Sequence, residues 1–192
     1  MSGCRELSWG SKENKTFGFF ARTPQKDAVR RIRAALNPDG HKTIVFSGLG
    51  MTIDVGELAS WKIWDSQNCA SIVSSNTKVD KLNIYKIPYD DTGSQNYIAA
   101  SDLVISKPRW ETVAEAVSLH KPLILVTRTN MQEDINTIEY LQKHKRCELV
   151  DWQDMNQLQI TGEILEKMKA QIGQDQEENS EEVVNEIRLI IE

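Results

Sequence analysis

The stretch that decides the fold is Asp102-Leu103-Val104-Ile105-Ser106, followed by residues 112–119 and then by Pro122-Leu123-Ile124-Leu125-Val126-Thr127. The first and last segments are short apolar runs rich in branched side chains, and the segment between them has the apolar spacing of a helix. Short apolar strands that alternate with helices are typical of a parallel sheet covered on both faces. The stretch therefore predicts a strand–helix–strand unit.

The same alternation extends in both directions from this unit. Further strands are predicted at 43–47, 70–74, 82–86 and 147–150, and further helices at 25–36, 94–100, 131–144 and 162–172. Another helix is predicted from Asp54, a good N-cap residue, to about Trp64. Because crossovers between parallel strands are almost always right-handed, we predict a Rossmann-like, doubly wound, mostly parallel α/β sheet with helices on both faces.

Composition divides the chain into three parts. Residues 1–24 are polar and rich in Gly and Ser, which indicates a loosely attached arm or an interdomain linker. Residues 25–172 carry the α/β pattern. Residues 173–192 combine a polar linker with a final helix, at 180–192, whose apolar side is typical of an interaction surface. The 192 residues suffice for one α/β domain and are too few for two.

Charge and cysteine content exclude several classes of protein. The net charge of −5 argues against a nucleic-acid-binding protein, because phosphate binding depends on clustered Lys and Arg. The three cysteines have neither disulfide nor zinc-ligand spacing, which favours a cytoplasmic protein. A basic cluster in helix 25–36 is interpreted as a solvated face, with a partner or an anionic membrane surface as the alternative. If the protein is found at the membrane surface, we expect a partner to hold it there.

One candidate binding segment is Ser47-Gly48-Leu49-Gly50-Met51-Thr52, at the end of the strand at 43–47. In open parallel sheets, ligands bind at the carboxyl ends of the strands. Glycines there let backbone amides approach an anion, and the start of a helix favours phosphate. A plain tight turn explains the two glycines equally well. The dinucleotide fingerprint of an oxidoreductase is incomplete, because Ile53 takes the place of its third glycine.

The second candidate segment, at 106–116, contains Thr112 and Glu115 at the spacing of a capping box. Capping alone would account for Glu115. The alternative is that the carboxylate accepts hydrogen bonds from two ribose hydroxyls, as carboxylates near a strand–helix junction do. The residue types leave both interpretations open.

Three stretches in fixed order resemble the C-terminal domain of glycosyltransferase family 28: YIAASDLVISKP at 97–108, TVAEA at 112–116 and KPLILV at 121–126. That family includes the N-acetylglucosaminyltransferase that completes the lipid precursor of peptidoglycan. The stretches are also similar to the soluble subunit of the two-chain N-acetylglucosaminyltransferase of asparagine-linked glycosylation. The match is dense over 97–139 and loose over 42–75. With it, Glu115 is expected to be both a cap and a ribose ligand.

The resemblance implies the donor-binding half of a GT-B glycosyltransferase that uses a uridine-diphosphate (UDP) sugar. It places Gly48, Gly50 and Thr52 at the diphosphate and Ile87 or its neighbours beside the uracil. It places Gln132, Glu133 and Asn136 at the sugar hydroxyls. In the alternative interpretation these last three residues are ordinary polar side chains on the exposed first turns of a helix. The candidate donor-binding residues are Gly48, Gly50, Thr52, Arg109, Thr112, Glu115, Gln132, Glu133 and Asn136.

Three residues depart from the family's pattern. Arg109 and Glu111 stand where small residues, usually Gly, are expected, and His120 replaces a helix-ending Gly. A carboxylate near a diphosphate is unfavourable, but Arg109 could pair with phosphate or with Glu111 itself. His tolerates the left-handed conformation, so His120 is interpreted as the end of a helix.

The expected enzyme lacks a metal, a cofactor and a general base in this chain. No Asp-x-Asp sequence occurs, so the transfer of a hexose or hexosamine is predicted to need no metal ion. The resemblance to GT-B enzymes implies that the base and the acceptor site belong mainly to an N-terminal domain or subunit, for which the chain has no room, so we expect no activity from the chain alone. Two alternatives remain open. One is half of a sugar-nucleotide epimerase, whose acidic and His residues are not found at matching places. The other is a non-catalytic nucleotide-sugar-binding or pairing module with a degenerate site.

Overall fold

A computed structural model describes residues 19–49, 58–127 and 132–172, without the side chains of residues 132, 133 and 171. The helices are α1 (Lys26–Leu36), α2 (Ser94–Ala100), α3 (Trp110–Ser118), α4 (Gln132–Lys143) and α5 (Gly162–Ile172). The strands are β1 (Thr43–Gly48), β2 (Cys69–Val73), β3 (Ile84–Lys86), β4 (Leu103–Ser106), β5 (Leu123–Thr127) and β6 (Glu148–Asp151). Short 3-10 helices lie at Lys62–Asp65 and Trp152–Asp154.

The six strands form one sheet in the order β3-β2-β1-β4-β5-β6, and every neighbouring pair is parallel. The central strands are buried on both faces, which explains why their sequences are continuous apolar runs without alternation. The predicted Rossmann-like, doubly wound α/β fold is confirmed. The strand order reverses between β1 and β4, which are adjacent in space but far apart in the chain.

Each face of the sheet has its own apolar core. On one face, Val45, Leu103 and Ile105 pack with Trp61 and Trp64 and with side chains of α5. The opposite core combines side chains of β1, β2, β4 and β5 with α2, α3 and α4, and it also includes Phe19, which precedes α1. α1 has no fully buried residue, and its Ile32 and Leu36 pack against the edge of that second core.

The helix predicted from Asp54 to about Trp64 is wrong at its end, because Leu58 is helical but the helix does not continue beyond it. Residues 50–57 lie outside the described part of the chain, and the segment that follows turns at 59–60 into the 3-10 helix Lys62–Asp65. In a 3-10 helix the side chains at positions i and i+3 align. Trp61, just before it, and Trp64 are both buried, with rings stacked at 6.4 Å, and the Trp64 indole N–H donates to the Leu58 carbonyl at 2.6 Å. Burial of both rings therefore outweighs α-helical propensity here.

The predicted role of His120 is confirmed. Its φ of 52° lies in the left-handed region, directly after the C-cap Leu119 of α3. The His120 N–H donates to the Val117 carbonyl at 3.0 Å, and the Lys121 N–H donates to the Ala116 carbonyl at 2.8 Å. This pair of bonds is a Schellman motif, which satisfies carbonyls at the end of a helix.

The helices that the structure describes include none both long and apolar enough to cross a membrane.

Candidate functional site

The reversal of strand order brings the carboxyl ends of β1 and β4 side by side. Gly48, the last residue of β1, is in register with Ser106, the last residue of β4. In open α/β sheets the crevice beyond such a switch point is where ligands bind. The two candidate segments from the sequence, one after each of these strands, therefore meet at the expected position.

Close packing surrounds Gly48. A Cβ atom on this residue would lie 2.9 Å from the ring of the buried Phe46, 3.5 Å from Cγ2 of Thr112 and 3.6 Å from Oγ of Ser106. Ser106 Oγ also donates to the Lys107 carbonyl at 2.9 Å. Gly48, Ser106 and Thr112 are thus in one place, and any side chain at position 48 would displace a core ring.

The capping box predicted from Thr112 and Glu115 is wrong. α3 begins at Trp110, so Thr112 is already the third helical residue, and the N-cap is Arg109, which makes no side-chain cap hydrogen bond. Trp110 stacks on Phe19 with ring centroids 4.7 Å apart, and this packing fixes the first turn two residues earlier than predicted. The carboxylate of Glu115 has other partners, so it does not reach back to the helix start.

Glu115 lies on α3, the helix that follows β4, and is 4% exposed. Its Oε1 accepts from Nε of Arg22 at 3.0 Å and from Nη2 of the same side chain at 2.7 Å. Its Oε2 accepts from the Ser94 hydroxyl at 3.3 Å. A buried carboxylate is costly unless it is paired and hydrogen-bonded, and Arg22 supplies the opposite charge.

Arg22 belongs to the segment that precedes α1 and joins three parts of the domain. Besides Glu115, its guanidinium donates to the Thr92 carbonyl at 3.0 Å and to the Ser94 hydroxyl at 2.6 Å. Three residues earlier, Phe19 is buried and also meets Tyr140 edge-to-face at 5.5 Å. Residues 1–18 of the predicted arm lie outside the described part of the chain, but Phe19 and Arg22, near its other end, are attached to the domain.

An open cleft of about 710 Å³ lies along this contact. One wall is the segment before α1 and the other is the first turns of α3. The lining residues are Phe20, Ala21, Arg22, Trp110, Glu111, Ala114 and Glu115. The lining includes two aromatic rings and the Arg22–Glu115 pair, so the cleft offers both an apolar surface and polar groups that could fix a ligand.

Comparison with known proteins decides the family. A profile of the glycosyltransferase family 28 C-terminal domain matches residues 63–192, well over half of the chain. The chain belongs to this family. A search of curated proteins found no match.

Solved structures agree with this assignment at the level of the fold. CalG4, the calicheamicin glycosyltransferase, has a TM-score of 0.51 and 11% identity, over 70% of this chain and 39% of that chain. SnogD from Streptomyces nogalater has a TM-score of 0.48 and 11% identity, over 72% and 41%. VinC in complex with dTDP has a TM-score of 0.49 and 12% identity, over 83% and 38%. The chain spans about two fifths of the length of these structures and shares the fold of the part of CalG4 that it covers.

Within this family 28 domain, Arg109 and Glu111 are both exposed. The ion pair that the sequence allowed between them is not formed among the described residues. Arg109, in an extended conformation just before α3, is therefore available to another anion. Glu111 lines the cleft, where its charge would repel a phosphate.

The remaining predicted residues are only partly described. Gly50 and Thr52 lie outside the described residues. Gln132 and Glu133 are the first residues of α4, and their side chains lie outside the described part of the chain. Asn136 is half-buried on the second turn of α4 and has a partner within the protein. Among the described residues, no group of three or more His, Cys, Asp and Glu side chains is placed to hold a metal ion.

Sequence reasoning missed Arg22, Ser94 and the buried Phe19 that lies three residues before Arg22. Arg22 lies 93 positions before Glu115, so no local pattern connects the two residues. The aromatic pair Phe19-Phe20, directly before Ala21-Arg22, was the available signal, because adjacent aromatic residues in a polar arm indicate that the arm packs against something.

Proposed function

We propose that the chain binds a UDP-sugar and is the donor-binding part of a metal-independent glycosyltransferase that transfers a hexose or hexosamine. The observation that carries this proposal is the buried carboxylate of Glu115 on the helix that follows β4, beside the switch point of the sheet. Membership of the family supports a nucleotide-sugar donor. The choice of uridine rests on the resemblance of the sequence.

The diphosphate would lie beyond the end of β1. Gly48 ends β1 in close contact with Phe46, Thr112 and Ser106, and backbone amides after a strand end are good anion ligands. The proposed contacts through Gly50 and Thr52 continue that segment. Arg109, exposed and in an extended conformation at the start of α3, would add a positive charge for the leaving diphosphate.

The ribose would lie against Glu115. An ionised carboxylate has about four acceptor positions. Two described hydrogen bonds fall on Oε1 and one long bond falls on Oε2, which leaves acceptor capacity on Oε2 for a hydroxyl. The sugar hydroxyls would then be read by Gln132, Glu133 and Asn136 at the start of α4.

The general base and the acceptor site are assigned to an N-terminal acceptor-binding domain or subunit. Sugar transfer with inversion requires a base that deprotonates the acceptor hydroxyl, and the chain by itself is proposed to be inactive. The predicted helix at 180–192, which lies outside the described residues, would help to pack against that partner. A place at the membrane surface would also come through the partner.

Calorimetric titration of the chain with UDP, with a chelator present, tests the proposal. We expect binding without added metal, and we expect Glu115→Gln to weaken it about tenfold or more, because a charged hydrogen bond contributes roughly 1.5–3 kcal/mol. Glu111→Gln is the matched control. It removes an exposed carboxylate from the same cleft one turn earlier, so it should leave UDP binding as strong or stronger.

Each possible failure has its own meaning. Binding that requires magnesium or manganese would contradict metal independence. No binding at all would favour the non-catalytic module with a degenerate site. Equal UDP affinity for wild type and Glu115→Gln would show that the charge of Glu115 has no part in holding ribose.

A further inference from the structure

We infer that Arg22 is a positioning residue for the donor site: it holds the ionised Glu115 so that Oε2 faces a ribose hydroxyl. The inference rests on the proposed function and extends it to a residue that makes no donor contact itself. It also assigns the segment before α1 to the nucleotide site.

The distribution of hydrogen bonds over the two carboxylate oxygens is the first argument. Both Arg22 bonds converge on Oε1, at 2.7 and 3.0 Å, so this oxygen is occupied by the protein. Among the described residues, Oε2 has the Ser94 hydroxyl at 3.3 Å. That hydroxyl in turn accepts from Arg22 Nη2 at 2.6 Å. Arg22 therefore fixes the rotation of the carboxylate both directly and through Ser94.

The charge of the pair selects the kind of ligand group. Arg is always protonated, and it neutralises Glu115 inside the domain. A second cation at Oε2 would be repelled by the guanidinium nearby, whereas a neutral hydroxyl would not. The arrangement therefore favours a hydroxyl donor such as a ribose 2′- or 3′-OH over an ammonium group or a metal ion.

The segment before α1 is anchored in the core, which argues against the alternative that Arg22 leaves the cleft when the donor binds. Phe19 is 5% exposed and belongs to the apolar core, where it contacts Trp110 and Tyr140. Moving Arg22 out of the cleft would strain the backbone, because Phe19, three residues earlier, is held in the core. We therefore expect the Arg22 guanidinium, whose side chain is 54% exposed, to stay paired with Glu115 while the ligand binds beside it.

The test compares UDP with 2′,3′-dideoxy-UDP, which lacks both ribose hydroxyls, so that the affinity ratio of the two compounds reports the ribose contact specifically. In the full 192-residue wild-type chain we expect UDP to bind about tenfold more tightly than the dideoxy compound. In Arg22→Gln, UDP binding should weaken about tenfold and the ratio should fall toward one. Arg22→Lys keeps a positive charge beside Oε1 of Glu115 but loses the paired hydrogen bonds of the guanidinium. The affinity ratio of this variant should therefore be intermediate.

Arg33→Gln is the matched control, because Arg33 is a second arginine close to the N-terminal segment that pairs with a carboxylate, Asp102, at 3.0 Å. It should lower the melting temperature and leave the affinity ratio at the wild-type value. All titrations are made below the melting transition of each variant, so that loss of folding is not mistaken for loss of binding.

Four results would overturn the inference. Weaker UDP binding by Arg22→Gln with an unchanged ratio would mean that Arg22 contacts the donor itself. Tighter UDP binding by the same variant would mean that the segment competes with the donor. A wild-type ratio near one would refute the ribose role of Glu115. No UDP binding by wild type would instead refute the proposed function, and the inference with it.

Discussion

Two arginine–carboxylate pairs lie at opposite ends of β4. At its start, Asp102 accepts from Arg33 at 3.0 Å through Oδ1 and from the backbone N–H of Ile44 at 2.8 Å through Oδ2. Arg33 also donates to the Ala100 carbonyl at 2.7 Å. Beyond the carboxyl end, Glu115 accepts from the side chains of Arg22 and Ser94. The chemistry is the same, but one carboxylate binds the backbone and the other lines a cleft.

Under the proposed function, the difference separates a structural pair from a pair that takes part in binding. Asp102 ties α1 to β1 and β4, and both of its oxygens are used for that purpose. Lys121 donates to the carbonyls of Ala99 and Ser101 at the same end of the sheet, and burial lowers the pKa of its ammonium group, against the opposing effect of Asp102. Glu115 instead lines a cleft beyond the carboxyl end of β4, the position at which ligands bind in open sheets.

Asp102→Ala removes the carboxylate of the structural pair and should have the largest effect. It should lower the free energy of unfolding by about 2–3 kcal/mol. It leaves the N–H of the fully buried Ile44 without its acceptor and Arg33 without its counter-charge. Because Arg33 is partly exposed, the loss of stability should be smaller than for a fully buried ion pair. Urea unfolding measures the loss. The UDP affinity of the folded protein should not change, and a parallel drop in affinity would contradict the separation of the two ends.

Gly48→Ala tests the binding end through packing, and should cost about 1–2 kcal/mol in unfolding free energy and also weaken UDP binding. The new methyl group would meet the buried Phe46 ring at 2.9 Å and narrow the space beside Thr112. Gly162→Ala is the control, because nothing lies within 4 Å of a Cβ there and Ala favours the helix. Similar losses in both variants would show that the crowding at Gly48 is not the cause.

Local patterns predicted the fold well because each strand and most helices follow from residues near one another. The segment 94–100 forms the predicted helix with the predicted bounds, and 162–172 does the same. The errors have tertiary causes. Two stacked indoles convert the segment at Trp61–Trp64 into a 3-10 turn, and the packing of Trp110 on Phe19 moves the start of α3.

The site was predicted less completely than the fold for the same reason. Glu115 could be named from its place after β4, and Gly48 from its place at the end of β1. Their partners could not, because Arg22 and Ser94 reach Glu115 from segments 93 and 21 positions away. A long-range ion pair leaves no periodic signal in one sequence, so the domain boundary predicted after residue 24 gave no sign that Arg22 pairs with Glu115.

The mildest change sharpens the comparison at the structural end. His120→Gly should raise the free energy of unfolding by about 0.5–1 kcal/mol, because glycine adopts a positive φ without the steric cost that a side chain incurs. His120 has a φ of 52° and is exposed, so little packing is lost. Lys145, also at 52° and after the end of α4, offers the parallel variant Lys145→Gly, which should gain a similar amount. Thermal melts measure both gains, and UDP titration should give wild-type affinity for each. A loss of stability in His120→Gly alone would mean that the His120 side chain stabilises this end of the sheet by contacts beyond its backbone conformation, whereas a change in UDP affinity would mean that the far end of α3 influences Glu115.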